Sequence, residues 1–115
     1  MANGFLTTHV LDTAKGLPAA GLKITLYKLE GGTRAKLAER MTNDDGRTDT
    51  PILPKDEFAV GEYELVFEAG AYHGSTSDHP FLTDIPIRFG IDDPDSHYHV
   101  PLLLSPFGYS TYRGS

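Results

Sequence analysis

The chain has 115 residues, 39% of them hydrophobic, with 16 acidic against 10 basic side chains and a formal net charge of -6. That length fits one domain around a single core, residues 1–115. The acidic balance argues against nucleic acid or an anionic membrane as partner, because phosphate binding draws on clustered Lys and Arg. The absence of cysteine removes disulfides, thiolate nucleophiles and thiolate zinc sites together.

Met1 to Thr8 lacks a basic region followed by an apolar stretch, so it does not read as a signal peptide. No apolar run approaches the length that spans a bilayer. A cytoplasmic protein is the expectation. Residues 5–12 alternate as a strand, with Leu6, Thr8 and Val10 set against Phe5, Thr7, His9 and Leu11; Gly16-Leu17-Pro18 breaks it. Residues 22–29 form a second strand, with Leu22, Ile24 and Leu26 on one face. After Gly31-Gly32, residues 35–42 read as a weaker, more polar strand. Asn43-Asp44-Asp45-Gly46 is a strong turn signal, since Asn, Asp and Gly accept the positive φ of tight turns. Pro51 and Pro54 leave the next segment an edge strand at best.

Residues 62–68 place Tyr63, Leu65 and Phe67 inward and Glu62, Glu64 and Glu68 outward. Ala69 to Ser77 has room for one short helix. Strands at 86–91, 97–105 and 109–114 complete the pattern, the last two joined by Ser105-Pro106-Phe107-Gly108. The expected fold is all-β, a seven- to eight-stranded antiparallel sandwich with one short helix.

Alternation also sorts the chemistry-bearing residues. In 97–105, Tyr98, Val100, Leu102 and Leu104 belong to the core, leaving His97 and His99 on the opposite face. His9 points the same way if Leu6, Thr8 and Val10 are buried. In the last strand, Ser110, Tyr112 and Gly114 share one side, and Tyr109, Thr111 and Arg113 the other. His73, His79 and His97 read as surface or hydrogen-bonded residues, and Arg47 alone as a solvated charge. Taken together, His9 and His99 are the candidates for function. His97-x-His99 with His9 has the composition of a three-histidine zinc site, yet no further ligand spacing supports it. No Gly-x-Ser-x-Gly elbow, phosphate loop or His-Glu-x-x-His motif is present, and Ser105 or Ser115 near a histidine is weak evidence for a nucleophile.

Three stretches carry a resemblance. Thr8-His9-Val10-Leu11-Asp12-Thr13 with Gly16 and Pro18-Ala19, and Thr42-Asn43-Asp44-Asp45-Gly46-Arg47, resemble the transthyretin-like proteins. His97-Tyr98-His99-Val100-Pro101-Leu102-Leu103-Leu104-Ser105-Pro106, with the closing Tyr109 to Ser115, resembles the family's 5-hydroxyisourate hydrolase branch; ending in Tyr112-Arg113-Gly114-Ser115 marks that branch. The resemblance implies an eight-stranded sandwich assembling as a homotetramer, a dimer of dimers, with sites in a channel at the dimer–dimer interface. It implies hydrolytic opening of 5-hydroxyisourate, in urate degradation, to 2-oxo-4-hydroxy-4-carboxy-5-ureidoimidazoline. The family's catalytic residues fall on His9, His99, Arg47 and Ser115, and its substrate-binding residues on His9, Arg47 and Tyr112. No step calls for a metal or an organic cofactor.

The reaction chemistry fits those residue types. Histidine exchanges a proton near neutral pH, and arginine presents a planar fork of donors to carbonyl oxygens and developing oxyanions. Two rivals remain at this level: a non-catalytic transthyretin-like carrier of thyroid hormone, whose channel would be apolar with Lys and Glu, and an adhesive sandwich module of an exported protein.

Overall fold

The computed structural model describes residues 4–53, 57–74 and 79–114. Two four-stranded sheets carry the fold. The first has the order β2-β1-β7-β8, built from Leu17–Pro18, Phe5–Asp12, His97–Ser105 and Gly108–Thr111. The second has the order β4-β3-β5-β6, built from Thr33–Met41, Lys23–Glu30, Gly61–Glu68 and Asp84–Ile91. A single helix among the described residues, α1 (Ala69–His73), follows β5 and ends at Gly74 in the left-handed conformation. None of the described helical segments is long and apolar enough to cross a membrane.

The two-residue alternation drives this layering. Leu6 and Val10 of β1 and Leu102 and Leu104 of β7 are fully buried, and they face Leu26, Leu65 and Phe67 from the second sheet within one core cluster. Each such side chain contributes roughly 1.5–3 kcal/mol by burial. Truncating one, as in Leu65→Ala, removes about 2–5 kcal/mol because the cavity collapses only in part.

Several expectations are refined. The pairing of β1 with β7 is parallel, unlike the other five ladders, because the chain visits the whole second sheet between those strands. Leu17–Pro18, read as a break, makes a two-residue ladder with Leu11 and Asp12. Among the described residues the Pro51 region contributes an isolated bridge, Leu53 to Leu6, and Pro54 lies outside them. Glu64 does point away from the core, yet it is 3% exposed rather than solvated. Arg88 Nε from the adjacent β6 and Arg34 Nη1 from β4, one strand beyond β3, cover its carboxylate, each at 2.9 Å.

Asp12 is also buried. Its Oδ1 accepts the N–H groups of Ala14 and Lys15, and its Oδ2 accepts the Tyr72 hydroxyl at 2.7 Å. Burial opposes the charge, but the Tyr72 bond and the Lys15 and Ala14 contacts outweigh it and hold Asp12 below the usual carboxylate range. Burial and that same carboxylate push the Tyr72 phenol up to about 12. One acidic side chain thereby ties the β1–β2 turn to the helix.

Candidate active site

The site grows from the outward face of β1 and β7. Their parallel register sets Phe5 beside His97, Thr7 beside His99 and His9 beside Pro101. The Thr7 hydroxyl lies between two imidazoles, 2.6 Å from His97 Nε2 and 2.8 Å from His99 Nδ1. The His97 ring stacks on Phe5, with centroids 4.2 Å apart and planes 12° from parallel.

Arg47 arrives on the turn that follows β4. Asn43 organises this turn: its Oδ1 accepts the N–H groups of Asp45 and Arg47, and its Nδ2 donates to Asp49. Gly46 closes the turn at φ 74°. Its carbonyl accepts the Val10 N–H at 2.8 Å, which docks the turn onto β1 next to His9. A Cβ at residue 46 would collide with the Val10 carbonyl oxygen, so both space and dihedral demand glycine there.

Arg47, Thr7, His97 and His99 line one hollow of about 390 Å³, with Asp49 and Thr50 on its rim. Burial depresses the pKa of His9, and the Arg47 charge adds to it against the opposing influence of Asp45. His99 is likewise depressed by burial, then by the charges of His97, Arg47 and His9. Both influences favour the neutral ring, the form able to take a proton. Among the described residues, no three His, Asp or Glu side chains are arranged to hold a metal ion.

The tail reaches this site through its backbone. The β7–β8 ladder runs to Leu102 opposite Thr111, and the same register resumes at His99 opposite Gly114. The Gly114 N–H donates to the His99 carbonyl at 2.8 Å. Arg113 turns to the core side, its guanidinium 4.1 Å from the Tyr98 ring centroid, as alternation requires. Tyr112 is 58% exposed and borders a separate hollow of about 480 Å³ shared with Tyr98 and Arg113, not the one holding Arg47. Ser115 lies outside the described residues.

A model of the HIUase/Transthyretin family matches residues 6–114. The chain belongs to this family. It is 61% identical to 5-hydroxyisourate hydrolase 2 of Rhizobium meliloti over 98% of each chain. Among solved structures, a protein titled (S)-allantoin synthase superposes with a TM-score of 0.91 at 52% identity, covering 99% of this chain. This chain spans 44% of that longer one. The 5-hydroxyisourate hydrolase of Klebsiella pneumoniae superposes with a TM-score of 0.82 at 36% identity, over 97% of this chain and 99% of its own.

Within this family framework the protomer brings His99 and Arg47 into one hollow, keeps His9 off its lining but within electrostatic reach of both, and leaves Tyr112 apart. Thr7 and His97 are the residues that sequence reasoning passed over as site members. Their role depends on parallel pairing across 90 residues, and a His-x-His repeat opposite a Thr is a signal only once that register is known.

Proposed function

We propose that this chain hydrolyses 5-hydroxyisourate, opening its six-membered ring to 2-oxo-4-hydroxy-4-carboxy-5-ureidoimidazoline in urate degradation. The observation that carries the reading is the shared hollow in which Arg47 faces His99 and its neighbours. The hydrolase names of relatives up to 61% identical support it.

In the proposed mechanism, water attacks the ring acyl carbon while an imidazole removes its proton. Negative charge gathers on the carbonyl oxygen, where the Arg47 guanidinium stabilises it through paired donors. The carbon–nitrogen bond then breaks, and the departing nitrogen collects that proton back from the histidines. His9 and His99 share the proton work. Tyr112 and Ser115 belong to the substrate-contacting tail, with Ser115 supplying a hydroxyl.

Arg47 is exposed in one protomer, and an open cleft leaves its charge screened by water. We assign the working form to a homotetramer whose second dimer covers this face and contributes Tyr112. Tyr112, large and exposed, shares the outward side of this sheet with Gly114, Phe107 is exposed in its connecting turn, and both support such an assembly. A single domain over 1–115 and a cytoplasmic location complete the proposal.

The test follows the ultraviolet absorbance of freshly generated 5-hydroxyisourate. His99→Ala and Arg47→Ala, both folded, should each lose about 10²-fold or more in rate. Wild-type rates in either variant would overturn its assignment. Light scattering should find four protomers, and an active monomer would remove the interface from the mechanism.

A further inference from the structure

We infer that Thr7 is a positioning residue whose one hydroxyl proton couples His97 to His99 and presents His99 Nε2 as the unprotonated base. This inference rests on the proposed hydrolysis and assigns the base within it.

A threonine hydroxyl donates one hydrogen and accepts others. Held between His97 Nε2 and His99 Nδ1, it satisfies both contacts and its own hydrogen when it donates to one ring and accepts an N–H from the other. Hydroxyl donors make shorter bonds than N–H donors. The 2.6 Å contact therefore fits donation from Thr7 to His97 Nε2, and the 2.8 Å contact fits donation from His99 Nδ1–H to Thr7. His99 then carries its proton on Nδ1, the less common tautomer for a free neutral imidazole. Its Nε2 lone pair is left for water.

The same chain of bonds handles the proton. When His99 Nε2 takes a proton from the attacking water, the Nδ1 proton passes to the Thr7 oxygen and the Thr7 proton passes to His97 Nε2. His97 becomes the imidazolium, stacked on the face of Phe5 where a cation is favoured. His99 becomes neutral with its proton on Nε2, ready to give to the departing nitrogen. As it does so, the relay runs backward and restores the starting tautomers. Atoms and charge balance, and no outside reagent enters. The other charged or titratable groups facing this pair are His9 on β1 and Arg47 and Asp49 on the neighbouring turn.

The experiment compares wild type, Thr7→Val, Thr7→Ser and His97→Phe. In the substrate-free protein, ¹⁵N-resolved NMR of the ring nitrogens should place the His99 proton on Nδ1 in wild type and Thr7→Ser. In Thr7→Val and His97→Phe it should move to Nε2, because His99 loses its acceptor or the freed hydroxyl turns to donate to it. In turnover, Thr7→Val and His97→Phe should lose about 10- to 100-fold in kcat, with KM changed less and the acid limb of the pH profile displaced. The double variant should be no worse than either single one, and Thr7→Ser should stay within about threefold of wild type. An Nε2-protonated His99 in wild type overturns the inference, as does a Thr7→Ser enzyme as impaired as Thr7→Val. If wild type fails to turn over 5-hydroxyisourate, the proposed function falls, while the NMR comparison still decides the hydrogen-bond assignment.

Discussion

Gly114→Ala tests the tail more sharply than deleting it. A Cβ built on Gly114 would stand 2.5 Å from His99 Cδ2, 3.2 Å from Cγ and 3.4 Å from Cβ. Carbon atoms pack at about 3.5–4.0 Å, so the first contact is short by roughly 1 Å. The Gly114 N–H is bound to the His99 carbonyl, so relief requires the imidazole to rotate or the tail to lift. Either movement shifts a reacting group by about 1 Å, and displacements of that size cost on the order of 10²-fold in rate. The fold should hardly notice, because the residue is no part of the core cluster; a change within about 0.5 kcal/mol is expected. Stopped-flow absorbance gives the rate and thermal unfolding gives the stability. A variant with full activity would mean that the tail does not hold His99. A rate loss matched by a large drop in melting temperature would make Gly114 structural.

His9 and His99 both titrate below the ordinary histidine value of 6.5, so a reaction needing them neutral persists through that pH and fails only in stronger acid. A midpoint for kcat/KM above 6.5 would contradict the assignment. Arg88, and then Arg34 against the cost of burial, hold Glu64 below its ordinary 4.5. Its contribution to stability is complete above that value and is lost as pH falls through the lower folded one. Glu64→Gln should cost about 1–2 kcal/mol in urea unfolding at pH 7 and flatten the acid side of the stability profile; an unchanged profile would show the pair to be inert. Exhaustive chelation should leave turnover untouched, whereas loss that zinc restores would revive the three-histidine metal site.

Period-two patterning carried the reading of β1, β3, β5 and β7, because each buries one face more fully than the other. It failed where neighbours in space decide. Glu64 reads as outward like Glu62, and alternation cannot show that the register sets it directly opposite Arg88 on β6, while Arg34 comes from β4 beyond β3. The last strand reads as reaching residue 114, whereas the ladder lapses at Tyr112 and Arg113 and resumes as a single bridge. Alternation still survives that gap, which is why the side of Arg113 was legible and the strand's end was not.

The same distinction separates two layers of the site. His9, His99 and Arg47 stand out as residue types in recognisable motifs, and each could be named before its surroundings were known. The group that decides what His99 can do is less conspicuous: a threonine among other strand residues, with a hydroxyl that meets two rings only because β1 runs parallel to β7. Sliding that pairing by one residue would turn every β1 side chain to the wrong face. Leu6 and Val10 would then leave the core, so the register is enforced by apolar burial along the strand. The precision of the Thr7 contact thus comes from the hydrophobic pattern, and the Gly114 bridge braces the opposite edge of β7. Core and tail together hold one imidazole from two sides.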